Sequence, residues 1–167
     1  MSAERSTNEE PIALVREEEI RERVAAIFAR RRAELEEMLP GARVEHVGST
    51  AVPGSLTKGD LDICVIVEGA EFEPASRTLA ERFQIHQPEN WSPTLASFIA
   101  PSEDGIGVGV QLVPAGSPDE RSFVGWRDRL RADPELRARY DELKQRHQAD
   151  GMDAYRAAKE RLIQASD

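Results

Sequence analysis

The chain has 167 residues, with 22 Lys+Arg against 31 Asp+Glu, 40% hydrophobic and 32% charged residues, and a formal charge of −9. That length and apolar fraction suit one domain, 1–167, with a real core, and the mixed charge argues against wholesale disorder. The acidic balance disfavours nucleic acid as a partner, the lone Cys64 excludes an internal disulfide or a cysteine-cluster metal site, and no apolar stretch nears the roughly 18 residues that span a bilayer.

Met1–Arg5 carries no hydrophobic signal segment, so no membrane association is expected and the cytoplasm is the expected location. Residues 1–10 are expected to be flexible. From Asn8 to Met38, Ile20, Val24, Ile27, Phe28, Leu35 and Met38 recur at helical spacing, which predicts one long helix stopped by Leu39-Pro40-Gly41. Its Arg30-Arg31-Arg32 run reads as a solvated face diluted by Glu34, Glu36 and Glu37. Arg43–Val47 alternates in polarity and predicts a strand, broken by Gly48-Ser49. Asp60 to Val67 is nearly uninterrupted in apolar residues, which predicts a central strand with a buried, inert Cys64. A helix is predicted over Glu73–Phe83, weaker strands at Gln84–His86 and Leu95–Ala100, and a further strand over Ile106–Val113.

The last third is helical. Ser117-Pro118-Asp119-Glu120 has the form of a capping box, followed by an apolar face of Phe123, Trp126 and Leu130. Asp133-Pro134 caps a second helix with a predicted buried stripe of Leu136, Tyr140 and Leu143, and Met152, Tyr155, Leu162 and Ile163 serve a third. Residues 117–165 thus form a helical subregion. About four strands between helices predict an α+β fold, a small mixed β-sheet flanked by helices with a C-terminal helical cap.

The chemistry lies between His46 and Ile63. Side chains at i and i+2 of a strand share a face, so Asp60 and Asp62 present two carboxylates side by side at one strand end. Such a pair repels unless a cation lies between, and Mg²⁺ (or Mn²⁺) suits one or two carboxylates completed by water and phosphates. Gly48-Ser49 opens a turn where glycine lets a phosphate approach the backbone and serine adds a donor. Taken singly, an Asp-x-Asp fits a solvated strand end and a Gly-Ser fits an ordinary turn; their order and spacing are what single them out. Lys58 stands just before the aspartates, and Lys144 and Lys159 on the tail helices can face the same cleft. His46 can approach the phosphates or serve structure, and Trp91 reads as a loop aromatic able to stack on a base. Trp126 and Tyr140 read as core. His86 and His147 have no partner at metal-ligand spacing.

Gly48-Ser49 followed by Asp60-Leu61-Asp62 resembles the signature of the polymerase-beta-type nucleotidyltransferase superfamily, and Glu45-His46-Val47-Gly48-Ser49-Thr50-Ala51-Val52-Pro53-Gly54 resembles the hallmark of its GrpB-like branch. Trp126–Arg131, Tyr140–Lys144 and Tyr155–Lys159 are similar to tail segments of that branch. The resemblance implies a nucleotidyltransferase-like fold in which Gly48, Ser49, Thr50 and Lys58 contact a nucleoside triphosphate while Asp60 and Asp62 hold the metal and are the catalytic residues. It implies nucleotidyl transfer to an unknown small-molecule or protein acceptor. Active members of the superfamily bring a third acid from a later strand, where this chain offers only Gln111; Glu103 and Asp104 lie in the preceding loop. The alternative is a catalytically silent nucleotide- or phosphate-binding module that regulates a partner. Relatives fused to dephospho-coenzyme A kinase suggest a link to coenzyme A metabolism for that alternative.

Overall fold

The computed structural model describes residues 13–166. Strand β1 (Val15–Arg16) precedes helix α1 (Glu17–Met38), and β1 pairs antiparallel with β3 (Leu56–Thr57). Among the described residues the first helix therefore begins at Glu17 rather than Asn8; residues 8–12, and the flexibility expected of 1–10, lie outside the described part. The early residues are drawn into extended pairing because β3 offers them partners: the Glu17 amide donates to Ser55 O at 2.8 Å, and the Glu17 carboxylate accepts from Gly54 N at 3.1 Å.

The main sheet has the order β2-β4-β7-β6-β5, with β2 (Arg43–Val47), β4 (Leu61–Val67), β5 (Gln84–Ile85), β6 (Ala96–Glu103) and β7 (Ile106–Pro114). Only β4 and β7 run parallel among these neighbours. Five strands appear instead of about four because even the two-residue β5 finds partners, Gln84 opposite Ile99 and Ile85 opposite Phe98.

Each face of the sheet has its own cover. On one, Ile63, Val65, Val108, Val110, Leu112 and Phe98 pack against Ile20, Val24, Ile27 and Leu35 of α1 and against Ala75 and Leu79 of α2 (Phe72–Arg82). Each such large side chain removed from water contributes about 1.5–3 kcal/mol, so α1 and α2 are held by side-chain burial far more than by helix propensity.

On the other face, Val47, Cys64, Ile66 and Val113 meet Phe123 and Val124. Those two come from a continuous helical run: α3 (Pro118–Glu120), a π-helical turn (Arg121–Gly125) and α4 (Trp126–Ala132). Helices α5 (Pro134–Arg146) and α6 (Met152–Ser166) complete the cap, around Val52, Trp126, Leu130, Leu136 and Tyr140. The cap signals act as their chemistry dictates: Ser117 Oγ accepts from Glu120 N at 3.2 Å, and Asp133 Oδ1 accepts from Leu136 N at 3.0 Å. Glu120 reaches back to Gly116 N rather than to Ser117. The buried stripe of α5 is Leu136, Tyr140 and Lys144; Lys144 takes the place expected of Leu143 because its ammonium finds partners inside. The α3–α4 run covers the Ile66 end of this face, and the Asp62 end opens into a cleft beneath the cap.

Candidate active site

Strand β2 delivers the chain to Gly48, whose φ of 77° and ψ of −177° belong to a region essentially reserved for glycine. A methyl group there would overlap Asp62 Oδ2 and lie 3.1 Å from Asp62 Cβ and Cγ. The turn and the acid are thus in direct contact. A single turn of 3-10 helix (Ser49–Ala51) follows, braced by side chains: Ser49 Oγ donates to Thr57 Oγ1 at 2.8 Å, Ser55 Oγ donates to Ser49 O at 2.7 Å, and Thr50 Oγ1 donates to Asp60 O at 3.0 Å.

Gly48, Ser49, Lys58, Asp62, Lys144 and Lys159 line one cleft of about 180 Å³. Asp60, just before β4, is half exposed and ion-paired to Lys58 at 3.4 Å. Burial, reinforced by the neighbouring Asp60 charge, pushes the Asp62 carboxyl up to about 6, while Lys58 and Lys159 oppose the shift. The shift arises chiefly because burial penalises the charged carboxylate, and a divalent cation bound beside it would compensate for that lost hydration, so Asp60 and Asp62 fit Mg²⁺ or Mn²⁺ chemically. Among the described residues no group of three or more His, Cys, Asp or Glu side chains gathers to hold a metal.

The later strand explains why. Gly109 stands opposite Asp62 in the β4–β7 register, and a Cβ on it would lie 3.3 Å from Asp62 Oδ1; one on Gly107 would lie 3.0 Å from Asp60 Oδ1. Gln111 is two pairs further on, opposite Cys64, and its Oε1 accepts from Ser97 Oγ at 2.6 Å. Glu103 and Asp104 are held by α1 instead: Glu103 pairs with Arg30 at 3.2 Å and Arg31 at 3.1 Å, and Asp104 with Arg23 at 3.6 Å. Arg31 is accordingly largely buried, so the arginine run is only in part a solvated face.

Two other candidates sit behind the cleft. His46 alternates onto the helix-covered face, where it stacks on Phe28 with ring centroids 5.2 Å apart and bonds through Nε2 to Thr50 Oγ1 at 2.9 Å. Because Thr50 Oγ1 donates onward to Asp60 O, it accepts from a protonated Nε2. Burial, with the charges of Arg131 and Arg127, lowers the His46 pKa to about 4, so the ring is neutral. Thr50 is buried between His46 and Asp60. Trp91 is not free to stack: it packs on Phe98 at 5.2 Å and its Nε1 donates to His86 O at 3.0 Å.

The cleft also has an aromatic wall. Trp126 and Tyr140 are core residues as expected, yet they line it together with Tyr155, and Arg127 and Arg156 contribute charge. The Tyr140 and Tyr155 hydroxyls are 2.5 Å apart, and burial raises both phenol pKa values. Lys144 Nζ lies 4.1 Å from the Tyr140 ring centroid and Lys159 Nζ 5.8 Å from it. Burial lowers the Lys144 ammonium to about 7 despite Asp141. A signal for this wall exists in the sequence: Tyr140/Lys144 and Tyr155/Lys159 are each spaced i,i+4, which puts each tyrosine and lysine on one helix face.

A Gly-Ser turn packed against an acidic strand in a small mixed sheet defines a nucleotidyltransferase-like fold. The Cid1 poly(U) polymerase, in a structure with bound MgGTP, shares it at a TM-score of 0.54 and 16% identity, covering 83% of this chain and 44% of that one. A cytoplasmic RNA terminal U-transferase shares it at a TM-score of 0.52 and 17% identity, covering 82% and 41%. The chain belongs to the GrpB protein family, whose model matches residues 14–167. GrpB from Enterococcus faecalis superposes at a TM-score of 0.67 and 21% identity, over 93% of this chain and 100% of that one. A UPF0157 protein of Vibrio cholerae is 37% identical over 118 residues, 71% of this chain and 62% of the relative. A second, from Streptomyces coelicolor, is 33% identical over 103 residues, 60% and 52% respectively. The chain therefore spans less than two thirds of the length of these curated relatives. Among the described residues no helix is long and apolar enough to cross a membrane.

Proposed function

We propose that the chain binds a nucleoside triphosphate in this cleft and transfers its nucleotidyl group to an acceptor, a small molecule or a protein, in a Mg²⁺- or Mn²⁺-dependent reaction. One observation carries the reading: Lys58, Arg127, Lys144, Arg156 and Lys159 line the cleft beside Asp62, with acidic partners behind Lys58 (Asp60), Arg127 (Glu45 and Asp128) and Lys144 (Asp141), in a protein of net charge −9. A cationic cleft in an acidic protein is suited to a small polyanion and not to a nucleic-acid strand, which the surrounding charge repels.

Asp60 and Asp62 would hold the metal, which, when bound, offsets the charge that develops on departing pyrophosphate. Gly48 keeps the space beside Asp62 clear of a side chain. Lys58 and Lys159 orient phosphate oxygens as flexible point charges, while Lys144 holds the Leu56 carbonyl behind them. The Trp126, Tyr140 and Tyr155 wall excludes water from the inner end. In the reaction the acceptor oxygen bonds the α-phosphorus as the bond to pyrophosphate breaks, and the acceptor proton leaves to solvent.

The test is Mg²⁺-dependent pyrophosphate release across an acceptor panel, comparing wild type with Asp60→Asn and Asp62→Asn. Release by wild type alone supports the proposal; equal signals from all three proteins eliminate it. The silent binding module is the second reading, favoured by Gly109 opposite Asp62 and by the neutral, already bonded Gln111. Saturable triphosphate binding by calorimetry without turnover would select it.

A further inference from the structure

The segment that carries the Gly-Ser turn has few hydrogen bonds of its own. Ala51 N donates to Gly48 O at 3.1 Å, Val52 N to Ser49 O at 3.1 Å, and Ser55 N to Val52 O at 3.3 Å. Beyond these and its own Ser55, Thr50 and Thr57 side-chain bonds, several of its backbone groups are taken up from outside, by Glu17 of α1 and by the cap. Arg127 Nη1 donates to His46 O at 3.0 Å, Arg131 Nε to Ala51 O at 2.8 Å, and Arg137 Nη1 to Pro53 O at 3.1 Å. The Leu56 peptide is gripped on both sides: its N–H donates to Asp141 Oδ1 at 3.1 Å, and its carbonyl accepts from Lys144 Nζ. Asp141 and Lys144 are themselves 3.5 Å apart. Arg127 and Arg131 are one turn apart on α4, and Arg137, Asp141 and Lys144 follow i,i+4,i+7 on α5, so a single stripe of each helix reads the loop backbone. Val52, fully buried among Trp126, Leu130, Leu136 and Tyr140, fastens the middle of the segment to the same helices.

We infer that Arg131 and Asp141 are positioning residues: acting from the cap through the Ala51 carbonyl and the Leu56 amide, they hold the Gly48–Asp60 segment in the conformation that receives the polyanion. The inference rests on the anion-binding reading above for its functional half, while its structural half stands on the hydrogen bonds alone. The cap and the turn behave as one body. Asp62 belongs to the sheet, so the docking of cap on sheet sets its distance from the cationic side of the cleft.

The experiment combines amide hydrogen exchange by NMR with calorimetric titration of ATP and Mg²⁺. In Asp141→Ala, exchange at Leu56 should accelerate about tenfold or more, as expected for loss of a hydrogen bond to a charged group. In Arg131→Met the acceleration should fall on Ala51 and Val52. Exchange in β4 and β7 should stay as in wild type, ATP affinity should fall about tenfold with it, and Asp141→Asn, which keeps an oxygen for the Leu56 amide, should restore both. Unchanged exchange at these amides, or acceleration spread evenly through the sheet, overturns the inference. So does unchanged ATP affinity in a protein whose Asp62→Asn variant no longer binds. If wild type itself fails to bind ATP, the anion-binding reading falls, and the exchange data decide the tether without it.

Discussion

Replacing His46 by Gln isolates one buried ring as a source of acid sensitivity. His46 is enclosed by Phe28, contacts Thr50, and feels the charges of Arg127, Arg131 and Glu17. Its pKa falls from 6.5 to about 4, so between these values the unfolded chain binds a proton that the folded chain refuses. Stability therefore drops as pH falls below 6.5, by up to about 1.4 kcal/mol per pH unit, and the loss is complete only below 4. The full effect is about 3 kcal/mol, a large share of the 5–15 kcal/mol of a typical domain. Asp62 contributes with the opposite sign in almost the same window. Its pKa is raised from 3.8 to about 6, so the folded chain holds a proton that the unfolded one releases, and stability is lost as pH rises through that range. These two contributions largely offset one another in the wild-type profile, so the difference between wild type and His46→Gln is the informative quantity. Urea unfolding at pH 7.5, 5.5 and 4.5 should show wild type losing about 2.5 kcal/mol relative to the variant from the highest to the lowest pH. Parallel profiles would refute the assignment of a neutral, buried His46.

Two further outcomes follow from the same geometry. Asp62→Asn removes a buried charge crowded by Asp60, so at pH 8 without metal it should unfold at higher temperature than wild type, by about 1–2 kcal/mol in stability, while losing Mg²⁺-dependent binding; calorimetric scans with and without Mg²⁺ measure both, and a lower midpoint without metal would count against the account of Asp62. Gly48→Ala combines positive φ with overlap of the Asp62 carboxylate, and urea unfolding should register a cost of about 2 kcal/mol or more. A loss below 0.5 kcal/mol would mean that the turn and the acid are not in the contact described.

Apolar patterning made β4 and β7 legible, because each buries one face completely, and β2 through its buried Val44 and Val47. The helices after Ser117 were legible through their caps. What escaped was decided by partners far away in the chain. Residues 13–16 obey helical spacing only until β3, some forty positions later, offers Val15 and Arg16 a strand to pair with. Lys144 displaces Leu143 from the buried stripe because Asp141 and the Leu56 carbonyl satisfy its ammonium, and no local pattern announces a buried lysine. Trp91 looks like a loop aromatic until Phe98 and the His86 carbonyl are placed beside it. For the candidate site, the order of Gly48-Ser49 and Asp60-x-Asp62 was readable, and their contact follows from the β2–β4 pairing of Val47 with Asp62. Lys144 and Lys159 were readable as candidates for the cleft, but the aromatic wall of Trp126, Tyr140 and Tyr155 depends on how α5 and α6 dock.

The parallel pairing of β4 with β7 has a consequence for how the chain comes into being during synthesis. Asp62 leaves the ribosome long before its neighbour Gly109, and longer still before Tyr155 and Lys159. Contacts so distant along the chain form slowly and late. A nascent chain can therefore own both aspartates and still lack the lysine-rich roof above them, and the cleft is closed only when α6 joins it.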